Sequence, residues 1–99
     1  MPDNAVLAAE RRVLYSDADA NRHLNNAVYA DIMCDCVPGG MDGRTVKYIA
    51  VNYINERRIG DALNIYCARC DDPDSEGETL LFTGEADGKR CFEGKLIYE

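Results

Sequence analysis

The sequence has 99 residues, of which 46% are hydrophobic and 29% are charged. These values are typical of a folded chain with room for one compact domain, and they argue against a disordered chain. The formal net charge of -7 argues against a general nucleic-acid-binding protein, because phosphate contacts need a basic surface.

The hydropathy pattern indicates the cellular compartment in which the protein is expected. No apolar stretch approaches the roughly 20 residues that a membrane-spanning helix needs. The segment Met1 to Glu10 also lacks the basic region and the long apolar run of a secretory signal. We therefore expect a cytoplasmic protein with no membrane contact, folded as a single domain over residues 1–99.

The chain contains five cysteines, namely Cys34, Cys36, Cys67, Cys70 and Cys91. In a chain without an export signal, they are most simply reduced thiols that pack as small apolar side chains. The pairs Cys34-x-Cys36 and Cys67-x-x-Cys70 also offer the four thiolates of a zinc site. Neither pair carries the turn glycines that bend a zinc knuckle around its metal. We therefore predict that the cysteines form no metal site.

The first half of the chain predicts a strand, a polar segment and a helix. A short strand is predicted over Arg11 to Tyr15, after a polar leader. The segment Ser16 to Asn26 is rich in Asp and Asn, which favour turns and helix caps. A helix is then predicted over residues 27–37, because apolar residues recur there at helical spacing: Val28, Ile32 and Cys36. Pro38-Gly39-Gly40 ends it.

The second half predicts an antiparallel sheet. β-branched and aromatic residues are frequent, and turn signals separate four predicted strands. These strands are Thr45–Glu56, Asp61–Cys70, Glu78–Ala86 and Lys89–Tyr98. The last two form a hairpin across Asp87-Gly88, a dipeptide suited to a tight turn, and Asp71–Gly77 is predicted as a loop. The order strand, helix and four strands predicts an α+β domain with one long helix against one sheet.

A dense polar motif precedes the predicted helix. Asp17, Asp19, Asn21, His23, Asn25 and Asn26 follow the pattern D-x-D-x-N-x-H-x-N-N, and His23 is the only histidine. In one interpretation, these side chains cap the helix and His23 lies at the surface. In the other, backbone N–H groups at the helix start stabilise a developing oxyanion while a neighbouring base delivers water. The residue pattern alone leaves both interpretations open.

Two segments resemble a known family. Ser16 to Pro38 resembles the signature of acyl-acyl-carrier-protein thioesterases in their C-terminal hotdog domain, which reads S-D-x-D-x-N-x-H-x-N-N-x-x-Y before an apolar helix ending in Val-Pro. Tyr53 to Asp61 is similar to that family's Y-x-x-E-x-x-x-G-D. These landmarks cover most of residues 12–66, and the last third of the chain matches only in its strand pattern.

The resemblance implies a hotdog fold, in which the sheet wraps one long helix. It also implies hydrolysis of an acyl thioester of acyl carrier protein or coenzyme A to a free fatty acid, without a cofactor. The residues that align with the family's catalytic positions are Asp19, Asn21, His23 and Glu56. Asn25, Asn26 and Tyr29 are expected to bind substrate. Which carboxylate activates water or attacks the carbonyl is left open.

The sequence departs from the family in three places. Family members carry two hotdog domains, and this chain has room for one, so we expect a homodimer. Arg57 follows the aligned glutamate where plant-type members have a cysteine, which argues against a cysteine nucleophile. The connection Pro38 to Arg44 is shorter than usual. The alternatives are a non-catalytic acyl-binding or scaffold hotdog domain, as a piece of a two-hotdog thioesterase, and a related hotdog enzyme such as a dehydratase.

Overall fold

The computed structural model describes residues 4–12, 26–55, 57, 60–70 and 77–99. Within these ranges the chain forms one helix and five strands. The elements are β1 (Val6–Arg12), α1 (Asn26–Asp35), β2 (Val46–Tyr53), β3 (Ala62–Cys70), β4 (Glu78–Ala86) and β5 (Lys89–Tyr98). The predicted order of one strand, one helix and four strands is confirmed.

The five strands form one antiparallel sheet in the order β1-β3-β4-β5-β2. Strands β3, β4 and β5 are neighbours along the chain and in space, so short connections suffice. Strand β2 follows the helix and pairs with β5, which makes β1 and β2 the two edges of the sheet. An antiparallel sheet with a single helix is consistent with the hotdog fold that the sequence predicted.

Helix α1 packs one face against this sheet. Tyr29, Ile32 and Met33 are buried, whereas Asp31 and Asp35 are exposed, as the spacing of an amphipathic helix requires. The Met33 thioether lies over β5, where Gly94 has no side chain to obstruct it. The helix has 10 residues, so it is shorter than the long helix that we predicted.

The helix ends two residues before the predicted boundary at Val37. The Cys36 amide is shared between the carbonyls of Ile32 and Met33, at 3.2 Å from each, and the Val37 amide bonds to Cys34 O. These shorter loops tighten the last turn. Pro38 then lacks an N–H to continue the ladder, and Gly39 turns the chain with a φ of 80°.

The core lies between α1 and the facing side of the sheet. Its largest fully buried side chains include Phe82, Phe92, Leu63, Ile65 and Leu96. On β5, Phe92 and Leu96 share the helix-facing side with Gly94, because strand residues two apart point to the same face. The helix lies closest to β5 and the edge strand β2, and the apolar side that it covers continues into β3 and β4.

The β4–β5 hairpin has the bounds that the sequence predicted, Glu78–Ala86 and Lys89–Tyr98. Its turn residues Asp87 and Gly88 have φ values of 52° and 75°. Positive φ at both central positions is the requirement of a primed two-residue turn. The hairpin prediction is therefore confirmed.

The first strand starts earlier than the sequence predicted. Strand β1 covers Val6–Arg12, so it includes Arg11 and Arg12 of the predicted strand and extends back through Val6 to Glu10, which was predicted as a polar leader. Residues 13–15 of the predicted strand lie outside the described residues. Its residues pair antiparallel with β3, from Val6 opposite Cys67 to Arg12 opposite Ala62. Val6 is 64% exposed and Leu7 is 48% exposed. Because this edge strand is held by backbone pairing and buries little apolar surface, its sequence lacks a clear strand pattern.

Strand β2 ends at Tyr53, three residues before the predicted end at Glu56. Alternation along the strand therefore does not fix the direction of Glu56, which lies outside the described residues. Most of the predicted loop Asp71–Gly77 also lies outside them. Within the described ranges, no helix is long and apolar enough to cross a membrane.

Candidate active site

Most of the predicted site residues lie outside the part of the chain that the structure describes. These are Asp19, Asn21, His23, Asn25 and Glu56. The backbone of Asn26 is described and begins α1, and Tyr29 is described in full. The described residues on either side of the two motifs show how the fold relates the motifs to each other.

Tyr29, the last residue of the first motif, is packed between two aromatic rings. Its ring centroid lies 4.8 Å from that of Phe92 and 5.3 Å from that of Tyr53, at interplanar angles of 56° and 59°. Tilted rings at these separations attract one another, because the positive edge of one ring meets the negative face of the next. Tyr29 is only 3% exposed. The first motif is thereby joined to Tyr53, the first residue of the second motif.

The residues just before Glu56 are attached to β5. The amides of Ile54 and Asn55 both donate to Cys91 O, at 2.9 and 3.1 Å. The Asn55 side chain donates from Nδ2 to Arg90 O at 2.7 Å. The chain leaving β2 is thus held against the first residues of β5, although it has left the ladder.

A second contact links the strand that precedes the first motif to the second motif. Arg12 is the last residue of β1, and its Nη1 donates to Gly60 O at 2.7 Å. Gly60 lies in the second motif, and its φ of 91° favours glycine there. The β1–β3 ladder supports this contact, because Arg12 pairs with Ala62. The flanks of the two motifs therefore meet at Tyr29–Tyr53 and at Arg12–Gly60.

A cavity of about 470 Å³ opens elsewhere on the sheet. Its lining includes side chains that alternate with the helix-facing ones, namely Ala50, Asn52, Leu81, Thr83, Glu93 and Lys95. Neither Tyr29 nor Tyr53 contributes to it. Its position on the face away from α1 separates this cavity from the site that the motifs indicate.

The cysteines do not form a cluster typical of a metal centre. Within the described ranges, no group of three or more His, Cys, Asp or Glu side chains is arranged to hold a metal ion. Cys67 and Cys70 are three residues apart on β3, so they point to opposite faces of the sheet. Burial raises the pKa of Cys67 to about 11, and Cys36 adds to the effect. Such a thiol is protonated at neutral pH and is a poor nucleophile.

Nearly the whole sequence is similar to that of a known domain family. The sequence model of the acyl-ACP thioesterase C-terminal domain matches residues 2–97. The chain belongs to this family. The resemblance seen in the two motifs is therefore confirmed over nearly the whole chain. A comparison with curated protein sequences finds no match.

Several solved structures are similar to this acyl-ACP thioesterase C-terminal domain. A putative oleoyl thioesterase from Lactobacillus plantarum has a TM-score of 0.84 and 24% sequence identity, and the match covers 100% of this chain and 39% of the Lactobacillus chain. An acyl-ACP thioesterase from Bacteroides thetaiotaomicron has a TM-score of 0.76 and 25% sequence identity, and the match covers 95% of this chain and 37% of the Bacteroides chain. A Thermus thermophilus thioesterase, solved with coenzyme A and Zn, has a TM-score of 0.74 and 19% sequence identity, and the match covers 91% of this chain and 79% of the Thermus chain.

Sequence reasoning missed the residues of this domain that support the motifs. Phe92 and Arg90 lie on β5, far along the chain from α1, and carry no local signal of contact with either motif. Gly84 on β4 is the only such residue with a hint, because glycine inside a strand often marks a close approach. A Cβ there would overlap the Phe92 ring.

Proposed function

We propose that this chain hydrolyses acyl thioesters of acyl carrier protein or coenzyme A and releases a free fatty acid. Two contacts carry the proposal: the packing of Tyr29 against Tyr53, which joins the two motifs, and the hydrogen bond from Arg12, four residues before the first motif, to Gly60 in the second. These contacts support a single site that draws Asp19, Asn21 and His23 from one motif and Glu56 from the other.

The proposed roles follow from the chemistry of each group. Asn21 and His23 orient the substrate and polarise the thioester carbonyl. Asp19 or Glu56, each a base at neutral pH when free, activates a water or attacks the carbonyl directly. In the water route, the water oxygen bonds to the carbonyl carbon, the C–S bond breaks, and the leaving thiolate takes up a proton.

Substrate binding is assigned to the residues around the start of α1. Asn25 and Asn26 supply amide groups, and the helix N-terminus supplies backbone N–H donors near developing negative charge. Tyr29, in the first turn of the same helix, is proposed to help shape the substrate-binding surface. The reaction is proposed to need no metal and no organic cofactor, and to take place in the cytoplasm.

Both carriers are retained in the proposal. The similar Bacteroides protein is named for acyl-ACP, and the Thermus protein was solved with coenzyme A. Both carriers present an acyl group on the same kind of thioester. The chemistry assigned to His23 and the carboxylates acts on that shared group.

We also propose that residues 1–99 form a single hotdog domain that assembles as a homodimer. Among the residues that the structure describes, five of the seven exposed large apolar side chains lie on β2 or directly after it: Val46, Tyr48, Ile49, Tyr53 and Ile54. Strand β2 is an edge strand, and an apolar edge favours pairing with another chain. A second copy supplies the second domain that the longer relatives carry within one chain.

A non-catalytic role is the second candidate function. The chain spans 39% and 37% of the Lactobacillus and Bacteroides proteins that it resembles. A piece of such a protein can keep the fold and lose activity, because function depends on the site and not on the fold. In that case the domain binds acyl groups or supports a partner domain.

The experiment is a hydrolysis assay on the purified chain with acyl-coenzyme A and acyl carrier protein substrates of several chain lengths. Released fatty acid is measured by mass spectrometry, because the five cysteines of the chain would react with a thiol reagent. We expect turnover that is lost in His23→Ala. Asp42→Ala, which changes an exposed residue outside both motifs, should behave as wild type.

The outcomes separate the two candidate functions. Turnover that survives His23→Ala would contradict the proposed site. Acyl-coenzyme A binding measured by calorimetry, without release of fatty acid from any substrate, would favour the non-catalytic domain.

A further inference from the structure

The short segment after β2, which we call the β2 exit, comprises Tyr53, Ile54 and Asn55. It leads directly into Glu56 and is attached to the fold on two sides. On one side the Tyr53 ring packs against Tyr29 of α1. On the other side Asn55 makes two hydrogen bonds to β5, from its backbone amide to Cys91 O and from Nδ2 to Arg90 O.

The contact on the helix side continues into the core. Tyr53 is 49% exposed, but the ring that it packs against is almost completely buried. Tyr29 in turn packs on Phe92, which is 0% exposed. The Phe92 ring occupies the space that a side chain at Gly84 would fill. A continuous line of packed groups therefore runs from strand β4 to Tyr53.

The contacts on the β5 side fix the backbone direction. The Ile54 and Asn55 amides share one acceptor, Cys91 O, so the chain turns out of the ladder at this point. The Asn55 amide group then bonds to the neighbouring carbonyl of Arg90 at 2.7 Å. Two adjacent carbonyls of β5 thus hold the residue that immediately precedes Glu56.

We propose that Tyr53 and Asn55 are positioning residues for the hydrolysis, a role that rests on the proposed function. They fix the β2 exit relative to α1 and β5, and thereby the starting point of the Glu56 segment. Catalysis demands such fixing, since a displacement of about 1 Å in a reacting group can lower the rate by about 100-fold. Neither side chain needs to touch the substrate.

The first experiment compares kcat and KM for Tyr53→Ala, Tyr53→Phe and Asn55→Asp. We expect Tyr53→Ala and Asn55→Asp to lower kcat by about 10-fold or more while KM changes little, because misplacement weakens the chemical step. Tyr53→Phe keeps the ring and should retain wild-type kcat. Asn55→Asp keeps the shape of the side chain but loses the Nδ2–H donor. Tyr66→Ala removes a half-buried ring from the opposite face of β3 and serves as the control for stability alone.

The second experiment does not depend on activity. Hydrogen exchange is measured for peptides covering residues 13–25 and 56–59 in the same variants. Tyr53→Ala should speed exchange in both peptides, because its ring joins the two motifs, whereas Tyr66→Ala should change neither. If Tyr53→Ala and Tyr66→Ala give the same exchange pattern, the positioning role is overturned. A kcat for Tyr53→Phe as low as that of Tyr53→Ala would overturn it as well. A wild type without turnover would instead remove the proposed function, while the exchange experiment still tests the positioning role.

Discussion

Gly84→Ala tests the packing line that supports the candidate site. A Cβ at this position would overlap Cε1 and Cδ1 of Phe92 and lie 3.2 Å from Leu63 Cδ1. Phe92 is fully buried and has Tyr29 against its ring, so it has little room to move aside. Overpacking of this kind costs about 1–3 kcal/mol in free energy of unfolding. For a domain of this size, that corresponds to a fall in Tm of about 4–24 °C.

Gly94→Ala is the matched control on the neighbouring strand. A Cβ there would lie 2.6 Å from both Cε and Sδ of Met33, which are the end of a flexible side chain. We therefore expect a loss of about 1 kcal/mol or less. The measurement is urea denaturation of both variants, followed by far-UV circular dichroism.

A second-site change makes the test specific to Phe92. Phe92→Leu in the Gly84→Ala background removes the ring that clashes, so the double variant should be more stable than the sum of the two single changes implies. If Gly84→Ala is no more destabilising than Gly94→Ala, or if the two changes are simply additive, the packing argument is refuted.

Three further predictions concern catalysis, assembly and ionisation. Glu56→Gln should abolish turnover and retain acyl-coenzyme A binding by calorimetry, whereas unchanged turnover would exclude Glu56 as a catalytic carboxylate. Light scattering at micromolar concentration should give twice the chain mass of 11.0 kDa. Tyr48→Lys on the β2 edge should shift that mass to the monomer, while Val6→Lys on the opposite edge should not. Burial raises the pKa of Cys67 from 9.0 to about 11 in the folded protein. The neutral thiol therefore contributes its full share to the free energy of unfolding below a pH of about 9, and this share is lost as the pH rises from about 9 to about 11. Cys67→Ala should therefore reduce the decline in unfolding free energy over that range relative to wild type and to Cys70→Ala, and equal declines would contradict the assignment.

Local chemistry allowed parts of this fold to be predicted from sequence. Asp87-Gly88 predicts a hairpin because few residues tolerate positive φ at two successive positions, and both residues adopt it. The helix stop at Pro38 depends on the missing N–H of proline and the freedom of the following glycine. The two motifs likewise predicted the family correctly, because their residue types stand at fixed spacings within a short stretch of chain.

Long-range pairing decided the features that sequence reasoning missed. Strand β1 has no alternating pattern, and only its register with β3 makes Val6–Arg12 a strand. Strand β2 ends at Tyr53 because the next two amides turn to Cys91 O on β5, an acceptor supplied by a distant part of the chain. Local propensity carries no information about such a partner.

For the candidate site too, the sequence indicated the residue types and the tertiary structure showed which segments come together. The resemblance of the sequence to the family implied Asp19, Asn21, His23 and Glu56 as the catalytic groups, and their roles stay predictions. Only the tertiary structure showed that Tyr29 packs on Tyr53 and that Arg12 bonds to Gly60. These contacts join residues far apart in sequence, and they form because packing the core and pairing the sheet edges stabilise the whole domain at once.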